Sequence, residues 1–362
     1  MRIAQVTPLY EAVPPRLYGG TERVVSYLTE ELVALGHDVT LFSSGDAVTT
    51  ARLVPVRDKA LRLDPSPLKS ATAAHLSMLD EVRRRADDFD VLHFHLSHFL
   101  HFPMFEHIPE RTLTTMHGRL DYRDLAGAYA RWPAFPLSSI SMSQRRPLPR
   151  GNWVGNVYHG LPLDKYLPPA GQDPAEPYLA FVGRLSREKR PDRAIEIARR
   201  AGLKLKIAAK IDVDDKPYFH EVVEGLIDGD AVEYVGEIDD DEKAEFLGRA
   251  SALVFPIDWP EPFGLVVIEA MAVGTPAVVW RHGAMPEIVD EGETGYVVDS
   301  IDAAVEAVRM AAALDRGTVR AVFERRFAAE RMARDYEAVY LGCVEAAAAY
   351  PPSRGETSGA FV

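Results

Sequence analysis

Short β-rich runs alternate with helical patterns through both halves of this 362-residue chain. The candidate strands of the first half are RIAQVTP, DVTLFSS, DVLHFHL, TLTTMHG, SSISMSQ and WVGNVYHG. Those of the second half are YLAFVGRL, LKLKIAAK, VEYVGE, ALVFPI and PAVVW. Strands that alternate with helices are typical of parallel sheets covered by helices on both faces. We therefore predict an α/β protein.

The two series of strands are separated by LPPAGQDPAEPY, whose four prolines and polar residues indicate an exposed linker. We predict a first domain at residues 1–166, a linker at 167–177, a second domain at 178–327 and a disordered tail at 351–362. Two similar α/β units that face each other form a cleft at the carboxyl ends of their strands. This cleft is where we expect the functional site.

Charge and composition exclude several classes of function. The formal charge of −13 repels a polyanion, so we expect no nucleic-acid partner, and a phosphate ligand must be met by local cations. The uninterrupted apolar runs are too short for a transmembrane segment, and MRIAQVTPLY is typical of a strand rather than a signal peptide. Cys343, the single cysteine, cannot form an internal disulfide. These features predict a cytoplasmic protein.

The segment WPEPFGLVVIEAMAVGTP contains two acids, Glu261 and Glu269. On one continuous helix they would be separated by about 12 Å and roughly 80°, so they need separate roles. The flanking prolines and Gly264 place Glu261 in a loop, whereas Leu265 to Val273 form an apolar helix that contains Glu269. The start of this helix offers N–H groups to an anion or a sugar hydroxyl. A capping acid and a solvated helix glutamate are the alternative.

A glycine pair, Gly19 and Gly20, follows the first strand and leads into an amphipathic helix. Thr21 is the predicted N-cap, and Gly36 ends the helix. The apolar face consists of Val24, Val25, Leu28 and Leu32. Paired glycines allow backbone N–H groups to approach a diphosphate or a sugar closely, although a plain turn is the alternative.

The segment FVGRLSREKRPDRAIEIA contains a strand that ends at Gly183, a basic loop and a helix that begins at Pro191. Cations at the carboxyl end of a strand lie where an α/β cleft holds phosphate. Arg184 can bind phosphate through two nitrogens, and Lys189 can act as a point charge. A solvated basic loop is the alternative.

Histidines lie within or at the end of two strands of the first half. His117 ends the strand TLTTMHG at the expected cleft edge, where it has either a functional or a structural role. His93, His95, His98 and His101 raise the hypothesis of a metal site. We predict no metal there, because the alternation with apolar residues is typical of a half-buried strand and no carboxylate or cysteine completes the site.

Five motifs together resemble the retaining glycosyltransferases of family 4. They are YGGTERVV, TMHG, FVGRLSREKRPDRAIEIA, EPFGLVVIEAMAVGTPAVV and GAMPEIVDEGETGYVV, and they span nearly the whole chain in the family's order. The most specific elements are the E-x7-E pair, Glu261 and Glu269, and the stretch from Gly183 to Lys189. The resemblance implies the GT-B fold, in which two Rossmann-like parallel-sheet domains face each other across a cleft. It also implies that a helix at about 328–350 crosses back to the first domain.

The resemblance implies a nucleotide-sugar donor and assigns residues to it. Glu261 lies by the transferred sugar, Glu269 holds the ribose, and the backbone of Phe263, Gly264 and Leu265 donates to sugar hydroxyls.

For the rest of the donor, the resemblance assigns the diphosphate to Arg184 and Lys189. Gly19 and Gly20 lie against the same diphosphate region from the first domain. His117 contacts the donor sugar near the reacting carbon. The catalytic residues expected from the resemblance are therefore His117 and Glu261, and no cofactor is expected.

Several short stretches of the sequence are similar to one subgroup, the UDP-glucose:tetrahydrobiopterin glucosyltransferases. The similar stretches are LYGGTERVVSYLTEEL, SQRRPLP and NVYHGLPLDKY. The subgroup implies a UDP-glucose-like donor and a hydroxyl-bearing acceptor, either a small molecule, with a pterin as one candidate, or a glycan. The chain departs from the commoner family pattern at His159-Gly160 and at Ala209-Lys210.

The family resemblance also implies transfer with retention at the anomeric carbon and without a metal ion. Asp212 and Asp214 resemble the metal-nucleotide motif of the other large glycosyltransferase architecture, but we interpret them as acids at helix starts. Two alternatives to a transferase are a nucleotide-sugar epimerase of the same fold, which would lack the full E-x7-E context, and a non-catalytic nucleotide-sugar-binding scaffold protein.

Overall fold

The computed structural model describes four stretches of the chain, which are residues 1–16, 19–96, 99–169 and 177–349. The predicted tail, most of the predicted linker and His98 lie outside the described residues.

The described strands form two sheets in which every strand pairing is parallel. The first sheet consists of β1 (Arg2–Val6), β2 (Asp38–Ser43), β3 (Arg52–Pro55), β4 (Val91–Phe94), β5 (Thr112–Thr115), β6 (Leu137–Ser139) and β7 (Trp153–Asn156). The second consists of β8 (Tyr178–Arg184), β9 (Lys204–Lys210), β10 (Val232–Gly236), β11 (Ala252–Phe255), β12 (Ala277–Trp280) and β13 (Gly295–Val298). Their spatial orders are β3-β2-β1-β4-β5-β6-β7 and β10-β9-β8-β11-β12-β13. The α/β fold with two parallel-sheet, Rossmann-like domains is confirmed.

Helices connect the strands. They are α1 (Gly20–Ala34), α2 (Ala71–Arg84), α3 (Phe102–Phe105), α4 (Leu125–Tyr129), α5 (Pro191–Ala201), α6 (Lys216–Tyr218), α7 (Asp240–Gly248), α8 (Leu265–Ala272), α9 (Met285–Ile288), α10 (Ile301–Ala311), α11 (Arg316–Phe327) and α12 (Ala329–Ala349). Among the described residues, no helix combines the length and the apolar content that a membrane crossing requires.

The starts of several helices follow from local sequence chemistry. Pro191 opens α5, as predicted, because its missing N–H group costs nothing at the first helical position. Asp239 caps α7 and forms a capping box with Glu242. The predicted cap at Thr21 is wrong: α1 already begins at Gly20, with Gly19 as its N-cap, so Thr21 lies inside the first turn.

The central strands are covered on both faces. All four residues of β4 are buried, and His93 is fully inaccessible. The expectation of a half-buried strand around this histidine is therefore wrong. In a parallel sheet both faces pack against helices, so a polar side chain on a central strand must find partners inside the protein.

The last helix returns to the first sheet. α12 packs against α1 and contacts β4, β5 and β7. The chain leaves the first sheet near Leu161 and returns near Ala328, and these two crossings touch each other in a β-bridge. Leu161 N–H donates to the carbonyl of Phe327 at 2.9 Å, and Ala329 N–H donates to the carbonyl of Leu161 at 2.9 Å. The two connections between the sheets thus lie side by side.

Candidate functional site

A cleft of about 480 Å³ lies between the two sheets and is lined by loops that follow the carboxyl ends of β1, β5, β8 and β11. It brings together every residue that the sequence predicted for the site, namely Gly19, Gly20, His117, Arg184, Lys189, Glu261, Phe263, Gly264, Leu265 and Glu269. Ligands of open α/β sheets bind at this end of the strands.

Two helices begin in this cleft from opposite sides. α1 starts at Gly20 and α8 at Leu265, and a Cβ atom on Gly20 would lie 3.4 Å from Leu265 Cδ1. Neither helix has a side-chain cap, although the Glu22 carboxylate in the first turn of α1 accepts from its own backbone N–H. Gly264 makes the entry into α8 feasible, because its φ of 95° is left-handed and an added Cβ would lie 2.6 Å from Met285 Cε. Two helix N-termini together favour an anion.

Lys189 lies at the centre of the basic loop after β8. Its ammonium group forms an ion pair with the carboxylate of Glu261, and both side chains are only 13% exposed. The same nitrogen lies 4.8 Å from the centre of the Phe255 ring and 5.1 Å from that of Trp259. Aromatic faces attract a cation, so the ammonium group is held between two rings and one carboxylate.

Arg184 lies beside Lys189 and has two acidic neighbours. Its Nη1 donates to Asp215 Oδ2 at 3.2 Å, and its Nη2 lies 3.6 Å from Glu188 Oε2. Glu188 also accepts from Arg119 of the first sheet at 3.2 Å. The basic loop is therefore tied across the cleft by an arginine of the other half of the chain.

The loop that carries Glu261 is fixed by its neighbours. Ala284 N–H donates to the carbonyl of Glu261 at 2.9 Å, and a side chain on Gly283 would overlap the backbone of Glu261. From the first sheet, Ser141 Oγ donates to the carbonyl of Pro262 at 2.7 Å. Both halves of the chain therefore hold this loop in place.

The Phe263 ring is packed among other rings at the cleft wall and is 2% exposed. Its centre lies 4.8 Å from that of His159 and 6.2 Å from that of Phe327, where the chain crosses between the sheets. Only the backbone of Phe263 can therefore reach a ligand.

Glu269 projects from α8 and is 4% exposed. Its Oε1 accepts from Lys243 Nζ at 3.0 Å and from the Tyr166 hydroxyl at 3.3 Å. Lys243 also lies 3.3 Å from Asp240, at the start of α7. The carboxylate of Glu269 thus has a cation and a hydroxyl group in place before any ligand arrives.

Asp240 connects this cluster to the first sheet. It forms ion pairs with Arg23 of α1 and with Lys165, the latter at 2.7 Å. Burial opposes ionisation, but the charges of Arg23 and Lys243 and the contact with Lys165 lower the pKa of Asp240 to about 2. The carboxylate therefore stays charged at neutral pH and links the two halves beside the cleft.

His117 lies on the first-sheet wall. Its ring is stacked at 17° on that of His159, with 5.2 Å between the centres, and its Nε2 lies 2.9 Å from His95 Nδ1. Its Nδ1 is covered and has no hydrogen-bond partner within the described part of the chain. Burial lowers the pKa of His117 to about 3, so the ring is neutral at pH 7.

A second hollow of about 240 Å³ adjoins His117 on the side of the first sheet. Met116, Leu120, Arg119 and Tyr122 line it, and the Arg119 guanidinium lies 5.4 Å from the centre of the Tyr122 ring. The hollow and the main cleft share Thr21, His117 and Gly118 in their linings, so the two are adjacent.

The acidic clusters have local partners. Asp212 lies 3.0 Å from Lys210, and Asp215 accepts from Arg184. Asp212 immediately precedes a short helical turn, as expected for a helix-start acid, but its side chain makes no cap hydrogen bond there. Over the four described stretches, no group of three or more His, Cys, Asp or Glu side chains is arranged to hold a metal ion.

Several residues of the site were missed by the sequence analysis. Trp259 opens the segment WPEPFG that carries Glu261, Lys243 ends the acidic run IDDDEK, and Gly283 opens the stretch GAMPEI. Their roles depend on partners far along the chain, and a glycine pressed against a backbone gives no local pattern beyond its identity. His95 was noticed only as part of a histidine-rich run.

Two protein families match the chain in succession. Residues 18–148 match the family described as Glycosyltransferase Family 4, and residues 164–326 match that described as Glycosyl transferases group 1. The first match covers β2 to β6 of the first sheet, and the second covers the whole second sheet. The cleft lies between the two matched regions.

Curated relatives are similar over part or most of the chain. D-inositol 3-phosphate glycosyltransferase 2 of Catenulispora acidiphila is 30% identical over 182 residues, which cover 45% of this chain and 42% of the relative. The chain therefore spans about two fifths of that relative's length. An uncharacterized glycosyltransferase of Methanocaldococcus jannaschii is 26% identical over 346 residues, with coverage of 82% and 85%.

Solved structures share the whole fold. AviGT4, a glycosyltransferase involved in avilamycin A biosynthesis, superposes with a TM-score of 0.71 at 23% identity and covers 95% of this chain and 98% of its own. HepE from Anabaena, solved with UDP-glucose, gives a TM-score of 0.66 at 15% identity, with coverage of 96% and 100%. At these identities the likeness concerns the fold alone.

Proposed function

We propose that the chain transfers a hexosyl group from a nucleoside-diphosphate sugar to a hydroxyl-bearing acceptor, because its two regions match Glycosyltransferase Family 4 and Glycosyl transferases group 1 and its two parallel-sheet domains form a GT-B fold. Relatives named as glycosyltransferases support this proposal, and the structurally similar HepE was solved with UDP-glucose.

The observation that carries the proposal is that several sources of positive charge line the same cleft. Lys189, Arg184 and the N-termini of α1 and α8 all line it. In a chain with a net charge of −13, such a concentration of local cations and helix N-termini matches a diphosphate.

Both of these cations are paired with carboxylates of the protein. Lys189 is paired with Glu261, and Arg184 is paired with Asp215. A diphosphate carries more negative charge than either carboxylate and accepts from an arginine through two oxygens, so we propose that it takes over these cations when the donor binds. Release from Lys189 would leave Glu261 to accept from a hydroxyl of the transferred sugar.

We assign the remainder of the donor to the neighbouring groups. The ribose hydroxyls donate to Glu269, and the sugar lies against the backbone of Phe263, Gly264 and Leu265, with His117 opposite. This assignment gives the E-x7-E acids the separate roles that their spacing requires, since one stands before α8 and the other within it.

The reaction that fits this arrangement is front-face displacement with retention. The bond between the anomeric carbon and the diphosphate oxygen breaks, and the nucleoside diphosphate departs with the bonding electrons. One of its oxygens accepts the acceptor's hydroxyl proton, and the acceptor oxygen then bonds to the same face of the sugar. Lys189, Arg184 and the two helix N-termini offset the charge on the leaving group, which is the work that a metal ion does elsewhere.

We place the acceptor in the hollow beside His117. Tyr122 offers an aromatic face and Arg119 a cation next to it, a combination that suits a flat, polar ring system. A pterin meets that description, and the subgroup resemblance adds a UDP-glucose-like donor. A glycan acceptor is distinguished from a pterin by direct assay.

The proposal is tested by thermal unfolding of the full-length protein with a panel of nucleoside-diphosphate sugars. A donor that binds the folded state raises the midpoint in proportion to the logarithm of its concentration over its Kd. We expect UDP-glucose to raise it and free glucose to leave it unchanged. Product from a pterin acceptor should then show the donor's anomeric configuration by NMR. No shift with any nucleotide sugar would refute the proposal, and binding without turnover would favour a scaffold.

A further inference from the structure

A chain of buried hydrogen bonds runs from the wall of the cleft into the first sheet. His117 Nε2 lies 2.9 Å from His95 Nδ1, and His95 Nε2 lies 2.6 Å from Gln5 Oε1. The amide nitrogen of Gln5, on the central strand β1, donates to the Tyr340 hydroxyl at 3.0 Å. Gln5 and Tyr340 are fully inaccessible and His95 is 2% exposed.

The chain continues beyond Tyr340. The Tyr340 hydroxyl lies 2.7 Å from His93 Nδ1, and His93 Nε2 lies 2.7 Å from Thr115 Oγ1. Thr115 Oγ1 in turn lies 2.9 Å from the Tyr336 hydroxyl. We call this set the relay, and it consists of His117, His95, Gln5, Tyr340, His93, Thr115 and Tyr336.

The protons of the relay must all point the same way. Burial keeps the pKa of His93 and of His95 well below the ordinary value, so each ring is neutral and has one donor and one acceptor nitrogen. The carbonyl oxygen of Gln5 faces His95, which must therefore carry its proton on Nε2. His95 Nδ1 is then an acceptor, and the proton of His117 must lie on Nε2.

The amide of Gln5 is the element that sets this direction. If the amide were reversed, its nitrogen would donate to His95, and every later proton would reverse, including that of His117. In the structure the Gln5 nitrogen donates to the Tyr340 hydroxyl, which is its partner on the side away from His95, and the hydroxyl proton is then directed to His93. Tyr340 belongs to α12, the helix that returns from the second sheet.

We propose that Gln5 and Tyr340 are positioning residues that fix the proton of His117 on Nε2 and leave Nδ1 as an acceptor for a hydroxyl of the bound sugar. The use of that acceptor rests on the proposed function, whereas the tautomer itself does not. His117 lines the cleft, and its covered Nδ1 has no partner in the described chain, so a sugar hydroxyl that packs against this ring would satisfy a nitrogen that is otherwise left without a hydrogen bond.

The tautomer is measured on the unliganded, full-length protein by long-range ¹H–¹⁵N spectra of ¹⁵N-histidine-labelled samples. These spectra distinguish a protonated from an unprotonated ring nitrogen, and His117→Gln identifies the His117 signals. We expect one tautomer, with the proton on Nε2, for both His117 and His95. A proton on Nδ1 of His117 would overturn the proposal.

Tyr340→Phe tests the role of the relay. Without the hydroxyl, the Gln5 amide loses its fixed orientation, so we expect both tautomers of His117 to be populated. The control is Tyr129→Phe, which removes a buried hydroxyl that donates to Met116 Sδ and takes no part in the relay. It should retain the single tautomer. Gln5→Met is the second variant if Tyr340→Phe unfolds, and an unchanged single tautomer in either folded variant would contradict the proposal.

Binding then connects the tautomer to the sugar. For Tyr340→Phe we expect UDP-glucose affinity to fall by the reciprocal of the fraction of His117 that keeps Nδ1 unprotonated, about twofold for equal populations of the two tautomers, with UDP affinity unchanged. Equal losses for both ligands would indicate a general structural defect and overturn the positioning role. Failure of the wild type to bind any nucleotide sugar would refute the proposed function but leave the tautomer measurement intact.

Discussion

Lys189 and Glu261, 72 residues apart in the chain, form an ion pair at the centre of the cleft. The pair joins the basic loop after β8 to the acidic loop after β11. It also keeps a buried ammonium group and a buried carboxylate neutralised while no ligand is present, since an unpaired charge there would be costly. We propose that the donor diphosphate breaks this pair.

Lys189→Met and Arg184→Met should each weaken donor binding. The loss should be about 1.5–3 kcal/mol per charged hydrogen bond, or roughly tenfold or more in Kd. The matched control is Arg187→Met, in the same loop, whose exposed guanidinium lies over the Tyr218 ring, 5.3 Å from its centre. Calorimetric titration with the nucleotide sugar measures all three. Unchanged donor affinity in both Lys189→Met and Arg184→Met, with both folded, would exclude the diphosphate assignment.

Turnover should survive an excess of chelator. The local cations and the two helix N-termini supply the positive charge that a divalent ion otherwise brings to a diphosphate. The measurement compares initial rates with and without EDTA, and with Mg²⁺ or Mn²⁺ added back. If EDTA abolishes the rate and a divalent ion restores it, Asp212 and Asp214 must be reconsidered as ligands.

Stability should fall as the pH drops below about 6.5. Burial lowers the pKa of His101 to about 3, and it also depresses those of His93, His95 and His159 and, to about 3, that of His117. Between pH 6.5 and pH 3 the unfolded chain binds more protons than the folded one, so acid favours unfolding. Each such histidine can contribute about 1.4 kcal/mol per pH unit in this window.

The pH effect is measured as the free energy of unfolding by urea at a series of pH values. His101→Gln should reduce the slope of the unfolding free energy against pH by the equivalent of up to one proton. The His101 ring is fully buried against Phe94, and among the described residues it bonds only to Thr114. The control is the exposed His107→Gln, which should leave the slope unchanged. Equal slopes for the wild type and His101→Gln would show that burial does not hold this ring neutral.

The sequence predicted the fold well because short β-rich runs alternate with helical patterns along most of the chain. It missed β3 and β13. The strand β3 lies at the edge of its sheet, is mostly exposed and ends at Pro55, so it lacks the apolar run of a central strand. The strand β13 has four residues, begins at Gly295 and also lies at a sheet edge. A short edge strand is defined by its neighbour more than by its own residues.

The site residues were easier to predict where they lie in one loop than where residues distant in the sequence come together. The strand ends at Arg184 and His117 could be read locally, since a parallel sheet brings its carboxyl ends together. The relay could not, because Gln5 and Tyr340 are 335 residues apart and each resembles an ordinary core position. The histidine-rich run was interpreted as a half-buried strand for the same reason: the helix that covers it comes from the far end of the chain.

The two glutamates of the E-x7-E pair should affect different parts of the donor. Glu269→Gln keeps the size of the side chain and removes its charge, so the ribose hydroxyls lose a charged acceptor. We expect about 1.5–3 kcal/mol of lost affinity for the nucleoside diphosphate and for the intact donor alike. Glu245→Gln, on the exposed face of α7, is the control and should change neither. Calorimetry with both ligands gives the two affinities for each variant.

Glu261→Gln should behave in the opposite way. The substitution removes the charge that now pairs with Lys189, so the ammonium group becomes fully available to the diphosphate, and nucleoside diphosphate affinity should stay the same or increase. The affinity for the intact donor should increase less than that for the nucleoside diphosphate, or decrease, because only the donor has a sugar that contacts the new side-chain amide at position 261. Equal losses of nucleoside diphosphate affinity in Glu261→Gln and Glu269→Gln would contradict this division of roles. One acid lies in a loop and the other in a helix, so both should not contact the same half of the donor.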